Sequence, residues 1–118
     1  MYILKHFFAY SESFRESFIT KLKIFMKLIE KIDKEQINDL KFCKKEVLED
    51  ELARRKRNFD LMRAQALGNL LRSKVNITFE TADEKVYQVN TTVWAVGNQF
   101  ISLKCNTYIP INSILEVD

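Results

Sequence analysis

Residues 93–103 read VWAVGNQFISL. Two apolar runs flank the pair Gly97-Asn98, and a pair of this kind between β-prone runs is a strong signal for a tight hairpin. The first run carries Trp94, the only tryptophan of the chain. The stretch therefore predicts antiparallel β structure in the C-terminal part of the chain.

The β pattern continues on both sides of this hairpin. Upstream, Val75, Ile77 and Phe79 alternate with polar residues, as in a half-buried strand. Downstream, Pro110 ends a short strand because proline cannot donate to a β ladder, and residues 111–113 fit one helical turn. Five strands are predicted, at residues 75–80, 85–96, 99–104, 107–109 and 114–117.

Residues 108–117, YIPINSILEV, carry a resemblance to a known fold. An apolar strand, a one-turn helix and a short strand that starts at Ile114 resemble the end of the small SH3-like barrels, and the Sm-like proteins are similar in rhythm. The resemblance covers about residues 75–117 and implies a five-stranded SH3-like small barrel. With helices ahead of the barrel, the chain resembles a bacterial family.

Ahead of the strands, the apolar residues follow a heptad-like spacing. They are separated by steps of 4, 4, 3, 4 and 3 residues, which is typical of a helix with one apolar side, as in a coiled coil. These residues are Phe14, Phe18, Leu22, Phe25, Ile29 and Ile32. We expect a first helix that starts at Ser11 or as early as Tyr2.

A second helix is predicted to begin after Asp33, which with Gln36 resembles a capping box. Helix-favouring residues continue to Arg72, so an unbroken helix would have about 39 residues and a length of roughly 58 Å. Its apolar line runs through Ile37, Leu40, Val47, Leu48, Leu52, Phe59, Met62, Ala66 and Leu70. The predicted fold class is α+β: an antiparallel helical hairpin of long helices over residues 1–74, then the small barrel over residues 75–118, packed against the helix end.

The composition of the 118 residues disfavours most kinds of enzyme site. His6 is the only histidine, and the two glycines form no phosphate-binding loop. A zinc site needs several Cys or His ligands close together, and a hydrolytic triad needs a histidine near a nucleophile. We therefore predict no enzymatic activity, no cofactor and no metal. Cys43 and Cys105 read as reduced thiols, and without a signal peptide or membrane span we expect a cytoplasmic protein.

The net charge of +3 is unevenly distributed. Residues 1–74 carry 17 Lys and Arg against 11 Asp and Glu, whereas residues 75–118 carry 2 against 5. Three interpretations of the basic residues remain open: a solvated helix with internal pairs such as Asp50–Arg54 and Glu51–Arg55, an arm that contacts phosphates, and a charged subunit interface. The candidate cations are Arg54, Arg55, Arg57, Arg63, Arg72 and Lys74.

Two aromatic residues complete the candidate contacts. Trp94 is interpreted first as a residue covered by the helices, because a barrel of this size needs cover. In the alternative, Trp94 is exposed and stacks on a base or receives a peptide, with Tyr108 as a companion.

Two functions follow from these features. The first is a non-enzymatic interaction or scaffold module that oligomerises through its helices, most simply as a homodimer, because we expect Leu48, Leu61, Leu67 and Leu71 to be exposed on the long helix. A protein partner fits this function as well. The alternative is an RNA-binding protein that uses the basic arm and the barrel aromatics. Neither function involves a membrane.

Overall fold

The computed structural model describes Arg15 and residues 29–118. The first predicted helix, with Phe14, Phe18, Leu22 and Phe25, lies outside the described residues, as does His6. In chain order the elements are β1 (Ile29–Ile32), a 3₁₀ helix (Lys34–Asp39), α1 (Glu51–Leu71), β2 (Val75–Glu80), β3 (Val86–Thr91), β4 (Val93–Val96), β5 (Phe100–Leu103), β6 (Thr107–Pro110), a 3₁₀ turn (Ile111–Ser113) and β7 (Ile114–Val117).

The predicted hairpin of long helices is wrong. Within residues 29–118 the only α-helix is α1, which has 21 residues. Residues 29–50, expected to be helical, contain a strand, a 3₁₀ helix and irregular chain. The 3₁₀ helix does begin where the capping box was predicted, since the N–H of Asp33 donates to Oε1 of Gln36 at 2.9 Å. However, it extends for only 6 residues.

The physical reason for this difference is the tertiary partner of β1. Ile29 and Ile32 sit at helical spacing in the sequence, but β1 pairs in parallel with β3, where Ile29 lies opposite Val86 and Ile32 opposite Val89. Further along, Ile37 is fully buried in the main core. Burial against a sheet has overridden a local preference that is weak over so short a segment.

The predicted strands of the C-terminal part are present, but their arrangement differs from a simple five-stranded barrel. The described residues carry seven strands in two sheets, with the orders β1-β3-β2-β7 and β4-β5-β6. The long run predicted at residues 85–96 divides at Thr92 into β3 and β4, and this bend carries the chain from one sheet to the other. Because β1 pairs with β3, residues on both sides of position 74 share one sheet.

α1 packs across the bend, in contact with β4 and β7. On its inner face, Leu61 and Ala64 are buried in the main core, which also contains the fully buried Phe79. The side chain of Gln65 adds a polar contact, since its Oε1 accepts a hydrogen bond from the N–H of Val96. α1 is thus held against β4, the strand that contributes Trp94 to the candidate site.

The predicted apolar line was expected to form the buried face of α1, but in the structure it lies on the exposed, outer face. Leu52, Phe59, Met62 and Leu70 are 55%, 69%, 54% and 81% exposed. Leu61, which was expected to be exposed, is fully buried, as is Leu48 ahead of the helix; Leu67 and Leu71 are exposed as expected.

Candidate functional site

Gly68 allows the C-terminal turn of α1 to lie directly against the bend between β3 and β4. A Cβ atom at this position would lie 2.5 Å from the carbonyl oxygen of Val93 and 3.0 Å from Cγ2 of Thr92. Only a residue without a side chain fits so close to another backbone. The contact brings the end of the helix beside the first residues of β4, including Trp94.

Arg72 ends the helix in the left-handed conformation, with φ of 55°. Its N–H donates to the carbonyl oxygen of Gly68 at 3.0 Å, which satisfies one of the last helical acceptors. For an L-residue this conformation costs roughly 1–2 kcal/mol relative to the right-handed one. The turn leaves the side chain of Arg72 exposed next to the bend.

A pocket of about 550 Å³ lies at this junction, and we call it the basic pocket. Four cations line it, and all come from different places in the chain: the first 3₁₀ helix, the end of α1, the start of β2 and the turn after β5. They are Lys34, Arg72, Lys74 and Lys104. Its other polar walls include Asn69 and Asn90, and none of its lining residues is acidic.

The charge of the basic pocket depends on whether its four cations have partners. Within the described part of the chain, none of them forms an ion pair. Asp33 and Glu35 flank Lys34 but are not among the described lining residues, so the four cations give the pocket a positive potential that favours an anionic ligand.

Trp94 forms one wall of the basic pocket and is 54% exposed. The interpretation of Trp94 as a covered residue is therefore wrong, and the alternative of an exposed aromatic agrees with the structure. The residue lies at an irregularity in the pairing of β4 with β5, between Val93 and Ala95. An exposed ring next to cations can stack on a planar group whose charged substituent reaches those cations.

Two further aromatic residues are exposed on the same three-stranded sheet. In β5, Ile101 and Leu103 are buried, whereas Phe100 on the alternate face is 49% exposed. Tyr108 in β6 pairs with Ser102 and is 54% exposed. Tyr108 therefore belongs to an exposed face of the sheet, but it does not line the basic pocket.

Of the six predicted cations, only Arg72 and Lys74 reach the basic pocket. Among the others, Nη2 of Arg55 pairs with Oε1 of Glu51 at 2.9 Å, as predicted. Nη1 of Arg54 donates to the carbonyl oxygens of Leu48 and Glu49 at 2.9 and 2.8 Å. Nη2 of Arg63 lies 3.4 Å from Oδ1 of Asp60.

Arg57 has a nearly fully buried side chain and does not line the basic pocket. Its side chain is 4% exposed, its Nη1 and Nη2 donate to the two carboxylate oxygens of Glu46 at 2.8 and 2.6 Å, and Nη1 also donates to the carbonyl oxygen of Ile114 at 3.1 Å. Burial alone would raise the pKa of Glu46. The hydrogen bonds from Arg57 and from the N–H of Leu48, together with the charges of Arg57 and Arg54, outweigh burial and hold this pKa below its ordinary value.

A larger cleft of about 1090 Å³ lies between the first half of α1 and the β4–β5 hairpin. Arg54 and Arg55 line it together with Phe100, but so do Glu46 and Glu51. Mixed charges and internal pairing make this cleft a weaker site for an anion than the basic pocket.

The described residues offer no site for a metal and no membrane span. No group of three or more His, Cys, Asp or Glu residues in this part of the chain could hold a metal ion. α1 is not apolar enough to cross a bilayer, and no other described helix qualifies. Cys43 and Cys105 are both free thiols.

Comparisons with known proteins yield no match: no family model fits the chain, and neither a curated protein nor a solved structure is significantly similar to it.

Proposed function

We propose that this protein binds single-stranded nucleic acid, with RNA as the first candidate, at the basic pocket and Trp94. The observation that carries the proposal is that four cations and a half-exposed tryptophan meet in one pocket, where no described residue pairs with the cations and no described acidic residue forms part of the lining. Cations that track the phosphates and an aromatic ring that stacks on a base are the two components of single-strand recognition.

The polar side chains of the pocket suit this ligand. Asn69 and Asn90 offer amide donors and acceptors, and either can bond to a base edge or a sugar hydroxyl. Stacking on Trp94 requires a base that is free of its own stack, which favours a single strand over a duplex. The pocket volume of about 550 Å³ falls in the range of small-ligand sites, so we expect it to hold one nucleotide of a longer strand.

The negative charge of residues 75–118 does not oppose this proposal. Asp83 and Glu84 lie in the turn between β2 and β3, and Glu116 lies in β7 opposite Thr78. None of these carboxylates lines the basic pocket. Since exposed charges act mainly within about one Debye length, roughly 8–10 Å in physiological salt, the local cations decide the potential at the pocket.

The scaffold function loses part of its basis. It rests on a helix of about 39 residues, and α1 has 21. The SH3-like and Sm-like resemblance stays part of the proposal and is supported by the short 3₁₀ turn between β6 and β7. Fold likeness does not imply function, so nucleic-acid binding is proposed from the site. A cytoplasmic location and a bacterial source are likewise proposals.

Fluorescence anisotropy of labelled single-stranded RNA and DNA tests the function directly. We expect binding that weakens steeply with salt, because phosphate contacts release counterions. Trp94→Ala should weaken binding about 5- to 150-fold, the equivalent of 1–3 kcal/mol for one stacked base. Lys104→Gln should weaken it across all sequences and reduce the salt slope by about 1.

Arg55→Gln is the matched control, because Arg55 is exposed but paired with Glu51 outside the basic pocket. It should change binding far less than Lys104→Gln. A duplex of the same length and a non-nucleotide polyanion such as heparin distinguish base stacking from general charge attraction. Flat titrations at low salt would refute the proposal, and equal RNA binding by wild type and Trp94→Ala would reduce it to charge alone.

A further inference from the structure

The outer face of α1 carries an apolar stripe that no described residue covers. In chain order the stripe consists of five exposed residues, separated by steps of 7, 3, 4 and 4 residues: Leu52, Phe59, Met62, Ala66 and Leu70. At 100° per residue these positions fall on one side of the helix, opposite Leu61 and Gly68. We call this set, Leu52, Phe59, Met62, Ala66 and Leu70, the outer stripe.

Exposure of this extent is unusual for a helix that already has a buried inner face. Phe59 is 69% and Leu70 is 81% exposed. Single exposed apolar residues are ordinary, but a continuous patch on a soluble protein marks an interaction surface. The outer stripe is therefore a docking surface, and its layout indicates what docks there.

We infer that the outer stripe pairs with the outer stripe of a second copy of this chain, in an antiparallel arrangement about a two-fold axis. Leu52 and Leu70 lie at equal distances in sequence from Leu61, and Phe59 and Met62 lie on either side of nearly the same centre. A two-fold axis near Leu61 places Leu52 against the Leu70 of the second copy and Phe59 against its Met62. Such self-complementarity is what an isologous interface requires.

The charges near the outer stripe are largely offset within each copy. Arg55 pairs with Glu51, while Lys56 and Arg63 both pair with Asp60. Glu51 and Asp60 offset two of these three cations, so each copy brings only one excess positive charge to the interface. An acidic peptide or an anionic surface would gain little from them, which distinguishes the outer stripe from the basic pocket.

The area is sufficient for a small specific interface. From the exposed fractions, the pairing of two stripes removes roughly 1,000 Å² of apolar surface, and rim residues raise the total to about 1,200 Å², the lower end of the range for stable complexes. Phe59, next to the centre, is the side chain expected to contribute most, since energetic hot spots concentrate near the centre of an interface.

The mass of the full chain in solution tests this dimer. Analytical ultracentrifugation at micromolar concentration should give twice the monomer mass of 14.0 kDa. Phe59→Ser should weaken the dimer by at least tenfold. Leu71→Ser is the matched control, because Leu71 is also 69% exposed but lies beside the stripe rather than on it, and it should leave the mass unchanged. Circular dichroism confirms that both variants remain folded.

The orientation has its own measurement. Spin labels on Leu70→Cys, in a Cys43→Ser and Cys105→Ser background, should lie about 27 Å apart along the helix axis in the antiparallel pair, from 18 residues at 1.5 Å each. A short separation would indicate parallel helices and overturn the two-fold arrangement. A monomeric mass at every concentration, or a dimer that is equally sensitive to Leu71→Ser, would overturn the inference and assign the cover of the stripe to another occupant, such as residues 1–28.

Discussion

Gly68→Ala tests the contact that places the end of α1 beside Trp94. The new methyl group would meet the carbonyl oxygen of Val93 at 2.5 Å and Cγ2 of Thr92 at 3.0 Å. The nearer atom belongs to the backbone at the start of β4, and Val93 is itself fully buried in the core. The oxygen cannot withdraw by a rotamer change, so either the helix or the strand must shift.

Two opposing effects set the size of the stability change. Alanine is the better helix former, and the replacement of glycine inside a helix gains about 1 kcal/mol. Overpacking of a filled interior costs typically about 1–3 kcal/mol, and a contact of 2.5 Å with a backbone atom belongs at the upper end of that range. We therefore expect a net loss of about 1–2 kcal/mol, measured as a lower urea midpoint at an unchanged m-value.

Thr92→Ser provides the control within a double-mutant cycle. It removes Cγ2, the farther of the two contacts, and leaves the Val93 oxygen in place. The combined variant should therefore recover only part of the stability that Gly68→Ala loses. A midpoint above that of wild type for Gly68→Ala would show that helix propensity dominates and would refute the close contact. Unchanged RNA binding by a destabilised Gly68→Ala would refute the role of this contact in shaping the basic pocket.

Three further substitutions have distinct expected results. Arg57→Ala should lose about 2–4 kcal/mol in urea denaturation, somewhat less than the full cost of breaking a buried pair because Glu46 is 33% exposed. Glu46→Gln should be less stable than wild type at pH 7, and its stability should fall less on acidification. A carboxyl with a depressed pKa stabilises the folded state at pH values above its unfolded-state pKa, near 4.5, and this stabilisation is lost as the pH falls through the folded-state pKa. Equal losses of stability in acid for both proteins would contradict this. Arg72→Gly should raise stability by about 1 kcal/mol by relieving the left-handed conformation and yet weaken RNA binding, as measured by fluorescence anisotropy.

The strands from Val75 onward could be predicted because their determinants are local. Alternation in β2 acts within a few residues, and the β4–β5 hairpin closes one residue beyond the predicted turn, where the N–H of Gly97 donates to the carbonyl oxygen of Phe100. The bend at Thr92 could not be located in the same way. It depends on the approach of Gly68, which lies 24 residues earlier in the chain.

The region before α1 could not be predicted because its apolar spacing satisfies two structures. Ile29 and Ile32 fit a helical stripe, and they also fit a short strand whose partner, β3, is more than 50 residues away. In a segment of four residues, the apolar pattern alone does not distinguish a helix from a strand. The same ambiguity led the prediction to assign the wrong face of α1 as buried. The apolar line through Phe59 and Met62 is as continuous in sequence as the inner line through Leu61 and Ala64.

The cations of α1 show which part of the candidate site was accessible from sequence. Arg55, Lys56 and Arg63 each have an acidic residue three or four positions away, and in the structure each is paired with it. Arg72 and Lys74 have no acidic residue at those positions, because the preceding turn carries Gly68, Asn69 and Leu70.

Residues three or four positions apart on a helix lie on the same face. A cation with an acidic residue at one of these positions therefore pairs with it and is less available to a ligand. Applied to this chain, the rule identifies the pairs of Arg55, Lys56 and Arg63 from sequence alone, but not that of Arg57, which has Asp60 three positions away and pairs with Glu46. It could not find Lys34 or Lys104, because both reach the basic pocket through the folding of distant elements. The net charge of a segment is therefore a poor guide to its ligand: what matters is which cations lack a local acid and where the fold brings them together.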